Sequence, residues 1–176
     1  MTREVLSDCK VALAELWKGP TGQQWRIQWV GMLALLRTVA STFNEEAKRG
    51  APLHPNLKKE LEGFWSRMKA SQPKPEIYWR FIRDDTNDLL HYWKFSAAQH
   101  STVQRDEMTM STEKMSAQPS FTHSVDTSGE HKGFTPGHTY LMKSDLFKDQ
   151  DQRDVVQQAI DWYEREIADM IERAKP

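Results

Sequence analysis

No leucine or isoleucine occurs between Leu90 and Leu141, although apolar residues at helical spacing fill the chain on either side. A stretch so depleted, and so rich in Ser and Thr, cannot supply the apolar face that a helix needs to join a core. The flanks must fold together around it. The expected organisation is one helical domain over residues 1–176, with the bundle built from 1–95 and 148–176 and an excursion over 96–147. A chain of 176 residues is long enough to bury a single core. Within the excursion, Glu107-Met-Thr-Met-Ser-Thr112 and Ser120-Phe-Thr-His-Ser-Val125 alternate with the period of a strand, and Asp126-Thr-Ser-Gly129 follows as a turn signal. Two alternatives stay open there, a small β-hairpin lying on the bundle or disorder. Structureless loops of this length in compact domains tend to be functional, so residues 96–147 are also expected to be the contact surface for any protein partner.

The flanks read as helices. Val5, Leu6, Cys9, Leu13, Leu16 and Trp17 recur at helical spacing, and Gly19-Pro20 ends the run. From about Gln23 to Lys48, Trp25, Trp29, Met32, Leu33, Leu36, Val39 and Phe43 make a pattern apolar nearly all round in its middle, which predicts a central buried helix. Pro52 and Pro55 punctuate, and Asn56 is placed to cap a helix carrying Leu57, Leu61, Phe64, Trp65 and Met68. Pro73 and Pro75 break the chain before a fourth helix over about 76–95. A last helix over about 151–174 turns Val155, Val156, Ala159, Ile160, Trp162, Tyr163, Ile167, Met170 and Ile171 inward. The predicted fold class is all-α, a bundle of about five helices.

Several classes of function are disfavoured by composition. With 24 basic and 25 acidic residues, the chain has no global electrostatic footprint for nucleic acid or an anionic membrane. Its single cysteine, Cys9, excludes an internal disulfide and a multi-cysteine zinc site, and on an apolar stripe it reads as a packing residue. The Met1-Thr-Arg-Glu-Val start shows no signal peptide, and the longest apolar run, Ile27 to Leu36, is too short to span a bilayer. A cytoplasmic protein without cofactor is expected. Five of the six histidines, His91, His100, His123, His131 and His138, lie in or beside the excursion, but none forms a pair with the spacing of a metal-binding helix, so no metal site is expected. Asp84, Asp85 and Asp88 lack the matching acidic motif on another helix that Mg²⁺ binding would need.

Candidate chemistry concentrates on the fourth helix. At about 100° per residue, Asp85 falls near the middle of an apolar face centred on Tyr78, Phe81, Ile82, Leu89 and Trp93, with Thr86 at its edge. A carboxylate there needs a partner or takes up a proton, and Arg37, at the end of the buried run on the second helix, is the candidate for a structural ion pair. On the opposite side Arg83, Asn87 and His91 form one stripe, flanked by Arg80 and Lys94. A basic polar stripe is ordinarily a solvated face. If covered, it would hold the parts that RNA cleavage requires: an imidazole to move protons, a guanidinium to clamp phosphate, and an amide to orient one of them.

Arg83-Asp84 followed on the same helix by His91, in a small helical domain rich in aromatics, resembles the HEPN superfamily, whose signature is an Arg, a polar residue and a downstream His. The resemblance implies a helical bundle, often dimeric, and either a metal-independent ribonuclease or a degenerate relative that binds RNA or protein. It would make Arg83, Asn87 and His91 the catalytic residues, Arg80 and Lys94 RNA-binding residues, and a homodimer the working form. Seven residues separate Arg83 from His91, more than the family pattern; reading from Thr86-Asn87 shortens the gap but puts Thr at the Arg position. The rival expectation is a noncatalytic interaction domain in which the bundle is a scaffold.

Overall fold

A computed structural model of the chain describes residues 1–49, 55–100, 139–143 and 146–175. Four α-helices, α1 (Thr2–Trp17), α2 (Gly22–Arg49), α3 (Pro55–Ala70) and α5 (Gln152–Arg173), pack with one helix of mixed winding, a π-helical segment (Ile77–Asp85) that continues into α4 (Thr86–Tyr92). The remaining elements are two short strands, β1 (Ala97–His100) and β2 (Thr139–Met142). The bundle read from the sequence is present.

The centre is α2. Its buried residues, Trp25, Trp29, Met32, Leu33, Leu36, Val39, Phe43 and Ala47, recur at helical spacing along 28 residues, with Met32 and Leu33 adjacent, so the stripe is wide enough to meet neighbours on several sides. It packs against α1, α3, α4, α5 and the π-helical segment. Two ends show why helices stop and start where they do. After α1 the backbone turns left-handed at Gly19 (φ 72°), while the Gly19 N–H closes on the Leu16 carbonyl. At the start of α5 the Asp151 carboxylate accepts the Arg153 N–H at 2.8 Å, which satisfies an orphan donor of the first turn.

The strands form an antiparallel pair in which Ala97 faces Met142 and His100 faces Thr139. They dock on the bundle through Tyr140, whose ring lies flat on Trp25 at 4.0 Å between centroids and 6° between planes. Trp25 also touches Phe95, and its indole N–H donates to the Gln152 side-chain oxygen at 3.0 Å. Ala97, Tyr140, Met142 and Phe147 are all buried, so the ends of the Ser/Thr-rich excursion contribute to the core. The strands anticipated within 107–125 lie outside the described residues.

Two expectations for the fourth helix are corrected. It ends at Tyr92 and not near Phe95, because Trp93 adopts a left-handed conformation (φ 52°) where its own N–H bonds the Leu89 carbonyl and that of Lys94 bonds Asp88. Trp93 is therefore not part of the buried face; it is 64% exposed. No helix among the described residues is long and apolar enough to cross a membrane.

The Trp25–Gln152 hydrogen bond should be a measurable share of stability. Gln152→Leu leaves a buried indole N–H without an acceptor and is expected to cost about 1–3 kcal/mol in urea denaturation. Trp25→Phe with Gln152→Leu should lose less than the two single changes added together.

Candidate functional site

The residues singled out by sequence sit on the one helix whose winding changes. Over Ile77–Asp85 the hydrogen bonding is i→i+5, which widens the turn, so a wheel drawn at the α-helical step misplaces side chains there. The segment spreads its rings across its neighbours: Tyr78 lies 5.4 Å from Trp65 on α3 and 5.5 Å from Trp162 on α5, and Phe81 lies 6.1 Å from Trp29 on α2. Trp79, which the α-helical wheel left off the core face, is buried.

On that frame the predicted stripe separates into two parts. Asn87 and His91 keep their spacing of four within α4, where the α-helical step holds. Arg83 belongs to the π-helical segment, is half-buried, and lays its guanidinium on the Trp79 ring at 5.0 Å to the centroid. It thus points toward the N-terminal end of its helix while His91 lies two turns the other way. The His91 imidazole is exposed, with Tyr92 as its ring neighbour at 6.3 Å. Arg80 is exposed and 3.9 Å from Asp84, and Lys94 is exposed with its ammonium 2.9 Å from Asp88. The Asp88 carboxylate raises the Lys94 pKa. Arg83, Asn87 and His91 line none of the hollows at α1 and α5, at Phe147 and Trp162, at Trp93, or at Arg37 and Trp65.

Asp85 is placed as the wheel suggested but partnered differently. The residue is half-buried, with Oδ2 sealed from solvent and without a hydrogen bond. Burial pushes its carboxyl up, the Asp88 and Asp84 carboxylates add to the shift, and the Ser96 hydroxyl and Lys94 ammonium oppose it, leaving it at about 7. Ser96 faces the carboxyl, yet Ser96 Oγ is itself buried without a partner of ordinary geometry. The expected Arg37–Asp85 ion pair is not among those of the described residues. Arg37 is instead beside the Tyr78 hydroxyl, where it opposes the upward push of burial on the phenol. The physical reason is registration: a wheel gives the azimuth of each residue about its own axis, and cannot say which levels of two helices meet.

Sequence reasoning missed an apolar ledge beside His91. Leu90, Tyr92 and Trp93 are 62%, 76% and 64% exposed, and Ile27 on α2 is 64% exposed. Trp93 leans against α2 and closes, with Ile27, Val30, Gln23 and Arg26, a hollow of about 350 Å³. The signal was available in part, since Leu90 lies about 100° from Leu89 and off the apolar face of the wheel, whereas Tyr92 falls on that face and its 76% exposure is not legible from spacing. Cys9 is fully buried, and burial pushes its thiol up to about 12, so it is no nucleophile. Among the described residues no three His, Cys, Asp or Glu side chains come together as metal ligands; His123, His131 and His138 lie outside them.

Comparison with protein-family models, curated proteins and solved structures finds no match to this chain.

The Asp85 carboxyl should make stability depend on pH in a definite direction. Its folded pKa is raised to about 7 from 3.8, so between those values the folded state holds a proton that the unfolded state has lost. Stability then falls as pH rises through this window and levels off above it. At roughly 1.4 kcal/mol per pH unit the ceiling on the loss is about 4 kcal/mol. Asp85→Asn should flatten the slope between pH 5 and about 7.5 and raise the melting temperature at alkaline pH. An unchanged slope would mean that the carboxylate is already solvated.

Proposed function

We propose that this chain is a helical protein-interaction domain that docks through the apolar ledge formed by Ile27, Leu90, Tyr92 and Trp93. The observation that carries this reading is Trp93. A bulky residue in the left-handed region costs on the order of 1–2 kcal/mol, and this one leaves most of its indole in water. Its ring meets Phe95 edge-on at 5.1 Å but is largely exposed, and tryptophan is among the residues that most often anchor interfaces. Ile27 and Trp93 expose apolar surface on one hollow, and Leu90 and Tyr92 are exposed on the last turns of the helix that leads into it. Arg26, on the wall of the hollow, has no ion pair among the described residues. The fitting partner is therefore a polypeptide with an apolar face and an acidic rim.

A second reading follows from the resemblance to the HEPN superfamily: a metal-independent ribonuclease, or a degenerate RNA-binding relative, working as a homodimer. What favours it is Arg83, a guanidinium stacked on an indole in a π-helical segment, a winding often found at functional sites. Among the described residues no carboxylate neutralises it. In this reading a second copy seated on the Trp93 ledge roofs His91. His91 then exchanges protons with the ribose hydroxyl and the leaving oxygen, Asn87 orients it, and Arg83, with Arg80 and Lys94, holds phosphate.

One variant separates folding from docking. Trp93→Gly should leave thermal stability unchanged or raise it by about 1 kcal/mol, while abolishing partner capture or self-association measured by light scattering. Loss of stability in this variant would show that the indole serves the fold and would remove the main support for the ledge. For the second reading, purified protein should be dimeric and cleave RNA in chelator, with His91→Ala inactive. A monomer without cleavage ends that reading and leaves the first standing.

A further inference from the structure

A second surface, remote from the His91 ledge in sequence, gathers groups that the interaction reading does not use. Arg37, Ser41 and Asn44 lie along one side of α2, Trp65 and Lys69 lie on α3, and Tyr78 lies in the first turn of the π-helical segment; together they line a hollow of about 370 Å³. Its two cations are uncompensated: no carboxylate is among the lining residues, and neither Arg37 nor Lys69 has an ion pair among the described residues. Two like charges facing one cavity repel each other, and an anion bound between them relieves this.

The floor adds a second requirement. The Trp65 and Tyr78 rings lie 5.4 Å apart at 54°, with Tyr78 buried and Trp65 half-buried, so an indole remains available to a flat ligand. The Arg37 guanidinium lies near the Tyr78 hydroxyl. Ser41 and Asn44 can donate and accept hydrogen bonds at the rim.

We infer that this hollow binds a small aromatic phosphate: a ring stacked on Trp65, its phosphate bridged by Arg37 and Lys69. Phosphate is preferred to carboxylate because its three terminal oxygens can satisfy a forked guanidinium and a separate ammonium together. The volume suits anything from a phosphorylated phenol to a mononucleotide.

Calorimetric titration of the full chain with phenyl phosphate, adenosine 5′-monophosphate and inorganic phosphate tests this. Both aromatic ligands, or one of them, should bind saturably, with affinity falling as salt rises, and inorganic phosphate should bind more weakly. The tighter of the two identifies the source. Arg37→Gln should weaken binding at least about tenfold, and Trp65→Ala should reduce the aromatic ligand to the affinity of inorganic phosphate. Because Arg37 also touches Tyr78, the exposed Lys69→Glu is the control for folding: it should keep the wild-type melting temperature and lose binding. Absence of saturable binding by either aromatic ligand, or binding that Lys69→Glu leaves unchanged, overturns the inference.

Discussion

Trp25 is where three parts of the chain far apart in sequence are held together. Its ring is covered on one side by Tyr140 from β2, touches Phe95 from the turn before β1, and donates its indole proton to Gln152 at the head of α5. The remainder of the core is an assembly of helix stripes, which many relative placements could satisfy with similar apolar burial. A flat ring stack and a buried directional bond are less permissive, since both fail with small displacements. Through Trp25, α2 is joined to the strand pair and to Phe95, three residues past the end of the helix that carries His91.

That end of the molecule carries two features a purely structural sequence would avoid. Asp85 places a carboxyl oxygen out of water without a partner, and eight residues on, Trp93 holds a bulky side chain in left-handed backbone. Both lie on the same helix, one at the close of its π-helical part and the other just past its last turn. Local costs of this kind tend to gather at functional positions. The stretch between them contains His91, which makes this end a better place to seek activity than the quiet faces of α1 and α5.

Much of the architecture was legible in the order of residues, and the failures have identifiable causes. The buried stripe of α2, the burial of Cys9 and the inward face of α5 follow from spacing alone, because an α-helix converts sequence separation into angle at a fixed rate. The fourth helix breaks that conversion. A π-helical stretch leaves no distinct mark on apolar periodicity, so the α-helical wheel puts Arg83 in line with His91. Trp93 was counted as a packing residue because nothing in its neighbours, such as a glycine, announces a left-handed stop. Arg37 and Asp85 were paired because each stands out on its own helix, while their true surroundings, Tyr78 for one and Ser96 for the other, depend on how the helices are registered. A small antiparallel pair is present, as one of the two readings of the excursion has it, but at Ala97–His100 and Thr139–Met142; Thr-Tyr-Leu-Met does alternate in burial, though so short an alternation is common by chance.

The pairing of His100 with Thr139 sets the two ends of residues 101–138 side by side at the margin of a sheet whose other end is clamped to the bundle. A connection that leaves and returns at adjacent points behaves thermodynamically as a closed loop, and its closure entropy grows only with the logarithm of its length. The closure term alone therefore makes a change in the number of residues between His100 and Thr139 cheap.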